Sequence, residues 1–99
     1  MPARFQAIDS FHLPERKLFC IGGTVLEGTV KSGMLLSIPF SSFFEMTEPI
    51  HSVERATTSE GTRIVLTFRL KDEDHAVVLM GLNLGAGEVL DVIEAAANP

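Results

Sequence analysis

Four consecutive residues, Asp72, Glu73, Asp74 and His75, form the densest group of potential metal ligands in the chain. A metal ion needs side chains that converge on one point, whereas successive residues of an extended segment point to opposite faces. No glycine stands where the loop of a calcium site would require one. We therefore predict that this segment is a solvated hairpin tip and that the chain holds no metal.

Three glycines, Gly22, Gly23 and Gly28, interrupt a run of apolar residues. A glycine-rich phosphate loop opens a helix whose first N–H groups hold the anion, and nucleotide-binding loops of this kind carry Gly-Lys-Ser or Gly-Lys-Thr. That tripeptide is absent here, and the residues on both sides of the glycines are typical of strands. The glycines therefore predict bends, bulges or close backbone approaches in a strand, and neither a nucleotide nor another cofactor.

Nucleophilic catalysis would require a cysteine or serine beside an imidazole that a third group orients. The three histidines bring no local signature with them, and Ser41-Ser42 is not a nucleophile elbow. The single cysteine, Cys20, lies in an apolar run and cannot form an internal disulfide. We predict a buried, inert thiol in a reducing cytoplasm and no enzymatic activity.

The chain has 99 residues and a net charge of −5. This length predicts one domain over residues 1–99, with residues 94–99 as a frayed tail. No charged-then-apolar leader and no apolar run of about 20 residues is present, so we expect a cytoplasmic protein without a membrane partner. The negative charge disfavours DNA and other non-specific nucleic-acid binding, which depends on Lys and Arg at phosphates. Arg16 and Lys17 are adjacent and Arg63 and Arg69 share a strand face, and we expect both pairs to be solvated.

Apolar alternation and turn residues predict a succession of short strands. The first covers residues 3–13, with Phe11 on its apolar face, and the polar connection Pro14-Glu15-Arg16-Lys17 follows it. A hairpin through Lys31-Ser32-Gly33, with the glycine last, would join residues 18–30 to residues 34–38. Further strands are predicted over residues 48–56 (with a bulge), 62–70, 76–84 and 88–93. The pattern is typical of an all-β protein, and we predict a small closed antiparallel barrel of six or seven strands.

A spaced motif near the middle of the chain carries a family resemblance. It consists of Gly23-Thr24-Val25, then Gly28 and Val30, then Gly33. This run resembles the second, β-barrel domain of translational GTPases such as elongation factor Tu, in which it marks the second and third strands. Two weaker echoes follow in the same order: Ser52-Val53-Glu54 and Gly87-Glu88-Val89-Leu90. The resemblance spans roughly residues 5–92 and implies a stand-alone barrel that lacks the GTPase domain.

The resemblance also implies a place where a ligand would bind. In elongation factor Tu, the glutamate that matches Glu54 lies on the surface that holds the terminal adenosine of aminoacyl-tRNA. By this resemblance, Glu54, Arg55 and His75 would line a small pocket on the barrel. The alternative is that Glu54 is an exposed strand residue without a ligand.

Two apolar segments predict contact with another protein. Phe40, Phe43 and Phe44 lie in one connection, where they either plug the end of the barrel or form an exposed patch. The predicted strand over residues 76–84 is apolar on both faces, so Val77 and Leu79 need a cover, which could be the N-terminal segment, the Phe-rich connection or a second copy of the chain. These features favour a non-enzymatic binding or adaptor module that engages a protein partner or forms a homodimer. The alternative function is recognition of an RNA end or a small ligand at the pocket around Glu54.

Overall fold

The computed structural model of the protein describes residues 3–39 and 45–95. These residues are mostly extended, as the β-rich pattern predicted, and they also contain one helix that was not predicted. A short 3₁₀ turn, Pro14–Arg16, connects the first two strands. In chain order the elements are β1 (Ala3–Leu13), β2 (Leu18–Glu27), β3 (Leu35–Pro39), β4 (Glu45–Pro49), β5 (Ser52–Thr58), β6 (Gly61–Arg69), α1 (Glu73–Gly81) and β7 (Val89–Ile93).

The strands form one seven-stranded antiparallel sheet in the order β4-β3-β7-β1-β2-β6-β5. Its two end strands, β4 and β5, do not pair with each other in the described residues, so the sheet is not closed into a barrel by strand pairing. The same two strands are consecutive in the chain and are separated only by Ile50 and His51. The sheet must therefore curl until its two ends meet at this corner.

Hydrogen bonds show how the corner joins the two ends. The Ile50 N–H donates to the Met34 carbonyl just before β3, at 2.8 Å, and the His51 N–H donates to the Thr67 carbonyl in β6, also at 2.8 Å. Thus the adjacent residues Ile50 and His51 bond to segments near opposite ends of the sheet. The predicted single strand over residues 48–56 is wrong, because a two-residue corner divides it into β4 and β5.

A bulge in β1 lies opposite the paired glycines of β2. Ala7 pairs with Gly23 and Asp9 pairs with Gly22, so Ile8 is the extra residue. A Cβ atom at Gly23 would overlap the carbonyl oxygen of Gln6, and one at Gly22 would overlap the Asp9 carboxylate. The bulge also changes which side chains of β1 face inward, and Phe11, predicted on the apolar face, is 43% exposed.

The predicted hairpin through residues 31–33 is wrong. A turn does form there, with the Met34 N–H donating to the Lys31 carbonyl at 3.2 Å, and Gly33 has a φ of 89°. However, β2 pairs with β1 on one edge and β6 on the other, so neither edge is available to β3. The strand β3 pairs instead with β4 and β7.

The predicted hairpin tip at residues 71–75 and strand over residues 76–84 are also wrong, because this segment forms the helix α1. Asp72 is the N-cap, Glu73 and Asp74 follow in the first turn, and no basic residue lies in the last turn. Acidic residues in the first turn favour a helix. No helix in the described part of the chain has the length and apolarity needed to span a membrane.

The inner face of the sheet and one side of α1 enclose a single hydrophobic core. Among the large side chains it buries are Phe5, Phe19, Ile21, Leu36, Ile38, Leu66, Phe68, Leu79 and Val92. Alternate residues of β3 and β6 point into it, which agrees with the alternation seen in the sequence. Helix α1 is therefore part of the folding unit.

Candidate functional site

Two side chains of the segment predicted to be a hairpin tip, Asp72 and His75, hold the start of α1 in place. The Asp72 carboxylate accepts the His75 N–H at 2.8 Å, which caps the helix. The His75 Nδ1 accepts the Lys71 N–H at 3.1 Å, so the neutral ring carries its proton on Nε2 and donates it to Glu48 Oε1 at 2.8 Å. The His75 and Glu48 side chains are only 14% and 11% exposed. This contact attaches the helix to β4.

Helix α1 buries one side and exposes another. Ala76 and Leu79, three positions apart, are buried, whereas Val77, Val78 and Met80 are exposed. Val77 is 62% exposed and Leu79 is 1% exposed. The prediction that Leu79 lies at a partner interface is therefore wrong, because the chain's own core covers it. Val77 is left in solvent, and its place at an interface stays a prediction.

A groove of about 590 Å³ lies between the exposed side of α1, the β1–β2 turn and the end of β6. We call it the α1 groove. Its apolar lining comes from Pro14, Leu70, Ala76, Val77 and Met80. A hydrogen bond from the Leu70 N–H to the Lys17 carbonyl, at 2.9 Å, connects the β1–β2 turn to the segment that leads into the helix.

A smaller groove of about 350 Å³ adjoins the first one. His12 and Met80 line both, so the two form neighbouring parts of one surface. Phe11 and Leu84 contribute to the smaller groove. The Ser10 hydroxyl donates to the Leu84 carbonyl at 2.7 Å, which fixes the loop after α1 against β1.

Two of the eight Lys and Arg residues line the α1 groove. Lys17 lies in the β1–β2 turn and Lys71 precedes the helix, and we call this pair the basic corner. Asp72 and Glu73 line the same groove, so its lining carries charges of both signs. Within residues 3–39 and 45–95, neither lysine forms an ion pair. No sequence motif brings the two lysines together; their proximity depends on the pairing of β2 with β6.

The structure does not form the predicted pocket around Glu54, Arg55 and His75. Glu54 and Arg55 are exposed on the end strand β5, opposite Val65 and Ile64. His75 contacts Glu48 and Lys71 instead, and none of the three residues lines either groove. The predicted interface residues Phe40, Phe43 and Phe44 lie outside the described residues.

Cys20 has the environment of a structural thiol. It is 2% exposed and unpaired, as predicted. Burial raises the pKa of the thiol above its ordinary value; the Arg16 charge opposes this shift and the Glu54 charge adds to it. A raised pKa keeps the sulfur protonated at neutral pH, and the protonated form is a poor nucleophile. No three metal-binding side chains cluster within the described ranges.

Comparisons with protein-family models, with curated proteins and with solved structures found no match to this chain. The surface of the chain is therefore the basis for inferring its function. The α1 groove and the basic corner in its lining are the features of that surface with a defined shape and chemistry.

Proposed function

We propose that this protein is a non-enzymatic binding or adaptor module that engages a protein partner through the α1 groove. The observation that carries the proposal is the exposed apolar side of α1, where Val77 is 62% and Met80 is 45% exposed at the edge of an open groove. Contiguous apolar surface on a small protein is typical of an interaction site. Removal of such surface from water is a favourable contribution to association.

The groove is built on rigid elements, which favours recognition. Its helix is capped by Asp72 and attached to β4 through His75 and Glu48. Its other side is held by the hydrogen bond between Leu70 and Lys17. A preformed surface loses little conformational entropy when a partner binds.

We also propose that the curled sheet is a barrel of the translation-factor second-domain type. The Ile50–His51 corner supports this, because it joins the two ends of the strand order as a bent strand would in a small barrel. The motif glycine Gly23 supports it too, since it lies opposite the β1 bulge. An experimental structure aligned with such domains tests this proposal, and a flat or differently connected sheet would reject it.

Capture from native lysate tests the binding function. We expect the wild-type protein to retain a protein partner, and the double variant Val77→Ser/Met80→Ser to lose it. Val89→Ser is the matched control, because Val89 is exposed on β7 and lies in neither groove. Retention of the partner by the double variant would move the binding site away from the α1 groove.

Two parallel measurements separate the remaining possibilities. Light scattering over a range of concentrations reports whether the partner is a second copy of this chain. Nuclease treatment of the lysate reports whether capture depends on RNA. A strict monomer that retains no protein with or without nuclease would contradict the binding function.

Recognition of an RNA end is the second proposed function. Lys17 and Lys71 support it, because both line the α1 groove and form no ion pair within residues 3–39 and 45–95, so they can contact phosphate groups. Titration with short CCA-ended RNA should then show binding that weakens as salt is added. Absence of binding at low salt would exclude this function.

A further inference from the structure

The α1 groove carries charges of both signs close together. Its lining includes two lysines and two carboxylates, which are Lys17, Lys71, Asp72 and Glu73. Three of them are consecutive at the start of α1, and the hydrogen bond from the Leu70 N–H holds Lys17 beside them. All four are exposed, and within residues 3–39 and 45–95 none of them forms an ion pair. A partner of one charge sign would therefore meet two groups that attract it and two that repel it.

A second copy of the chain carries the same two kinds of charge. When two copies associate about a twofold axis, one surface patch faces its own counterpart. An axis near the start of α1 would place the lysines of one copy beside the carboxylates of the other, and symmetry would repeat each contact. We propose that the α1 groove is the interface of a homodimer in which the basic corner of each copy contacts Asp72 and Glu73 of its partner. This inference rests on the proposed binding function and names the partner.

The apolar side of α1 would supply affinity to such a dimer. Val77 and Met80 line the groove, and Val78, the next residue after Val77, is 45% exposed. Val77 follows Glu73 by four positions, so both lie on the same side of the helix. A contact between the two charged groups therefore also brings the valines of the two copies towards each other and removes them from water.

The smaller groove extends the surface that a second copy can cover. His12 and Met80 line both grooves, and Phe11, which is 43% exposed, lines the smaller one. A stable interface takes about 800 Å² from each partner, which is more than one helix face provides. The two adjoining grooves together offer a continuous surface with apolar side chains in the middle and charged ones at one end.

A nucleic acid fits the groove less well than a second copy. Its closely spaced phosphates would be attracted by the basic corner but repelled by Asp72 and Glu73 in the same lining. An acidic peptide meets the same repulsion, and a basic peptide is repelled by the two lysines. Only a partner with both charges avoids these conflicts.

Charge reversal tests the inference, with light scattering of the full-length protein over a range of concentrations as the measurement. The wild type should form dimers as its concentration rises. Lys71→Glu and Glu73→Lys should each weaken dimer formation about tenfold, because each places like charges on both sides of the axis. An equal mixture of the two variants should recover most of the wild-type affinity, since the more acidic copy then faces the more basic one. Both variants keep the Asp72 cap and the Lys71 N–H bond to His75.

The controls make the same charge changes elsewhere. Lys31→Glu and Glu60→Lys alter exposed residues that line neither groove, and both should dimerise as the wild type does. Thermal unfolding of each variant checks that it is folded. Val77→Ser/Met80→Ser should also weaken the dimer, because it removes the apolar part of the interface.

The outcomes separate this inference from the function on which it depends. A wild type that stays monomeric at every concentration would overturn the homodimer, whereas a lysate partner that Val77→Ser/Met80→Ser fails to retain would still support the groove as a site for another protein. Dimers that none of the groove variants weakens would place the interface elsewhere and would also overturn the inference. Weakened variants that do not recover on mixing would reject the charge pairing across the axis. Monomers that bind CCA-ended RNA and lose it in Lys71→Glu would assign the basic corner to nucleic acid.

Discussion

At the scale of single residues, β1 lies so close to Gly22 and Gly23 of β2 that neither position has room for a Cβ atom. Gly23 faces the Gln6 carbonyl, and Gly22 faces Asp9, whose other carboxylate oxygen contacts the Arg63 guanidinium at 2.5 Å. A side chain at Gly23 would have to displace backbone atoms, which cannot rotate away as the end of a long side chain can. The identity of this residue is therefore a requirement of the fold.

Replacement of Gly23 by alanine should reduce the free energy of unfolding by about 1–3 kcal/mol, the usual effect of overpacking. Gly81→Ala is the matched control, because a Cβ there meets no neighbouring atom and lies at the end of α1. Alanine at Gly81 should leave the protein unchanged or stabilise it by up to about 1 kcal/mol. Urea unfolding measures both, and equal stabilities for the two variants would contradict the close approach.

The buried thiol of Cys20 predicts a dependence of stability on pH. Its pKa is raised in the folded protein, so the folded state holds the proton more tightly than the unfolded state does. The resulting stability is fully present below the unfolded thiol's pKa of about 8.5 and is lost as pH rises through the folded value. Urea midpoints from neutral to alkaline pH should fall more steeply for the wild type than for Cys20→Ala. Parallel curves would show that the thiol is not the cause.

At the scale of elements, helix α1 is held by few contacts, so a single substitution can detach it from the sheet. Its first turn depends on the contact between His75 and Glu48, and its buried side supplies only Ala76 and Leu79. A helix of nine residues has little stability of its own in water. The α1 groove should therefore be lost when the helix is detached, even if the sheet persists.

His75→Ala should reduce the free energy of unfolding by about 1.5–3 kcal/mol, because it removes a hydrogen bond to a carboxylate and leaves Glu48 buried without a partner. Glu48→Gln keeps an acceptor oxygen and should have a smaller effect. The double variant His75→Ala/Glu48→Ala should be destabilised by less than the sum of its single variants. Additive effects would indicate that the two side chains do not interact. Amide exchange in α1 provides the matching local measurement.

At the scale of the whole molecule, the Ile50–His51 corner determines the shape of the sheet. It ties one end of the strand order to the other through backbone hydrogen bonds to Met34 and Thr67. The core therefore lies inside a curved sheet, with α1 packed against β1 and the core. The α1 groove exists because the pairing of β2 with β6 places the β1–β2 turn beside the end of β6, and the helix lies next to both.

His51→Pro should destabilise the protein by about 1–3 kcal/mol or more, because proline has no N–H to donate to the Thr67 carbonyl. His51→Ala keeps that N–H and is the matched control, since the His51 side chain is exposed. Amide exchange should quicken at both β4 and β5 in the proline variant. Faster exchange in β5 alone would show that the corner does not couple the two ends.

The alternation of apolar residues was enough to locate most strands from the sequence. It identified β1 and β6 within a residue or two, because one buried face imposes a period of two. The adjacent glycines Gly22 and Gly23 marked where the backbones of β1 and β2 approach each other closely. The turn at residues 31–33 was also located correctly, but strand pairing depends on which edges other strands have already occupied.

The run Val77-Val78-Leu79-Met80 shows the limit of local pattern. Valine and leucine suit a strand or a helix, and the choice depends on the Asp72 cap, the Glu48 side chain on a distant strand and the core that receives Leu79. The candidate site could not be predicted from local sequence for the same reason. Lys17 and Lys71 lie far apart in the chain and meet only because β2 pairs with β6 and the Leu70 N–H donates to the Lys17 carbonyl.

By itself, the sequence determined a β-rich fold with a buried cysteine and glycines at close backbone contacts, because these properties depend on residue type and on neighbours a few positions away. The tertiary structure alone decided the strand order, the corner at Ile50 and His51, the helix α1 and the groove beside it. The physical reason is that each of these depends on contacts between residues far apart in the chain, whose free energy is gained only when the whole sheet has formed.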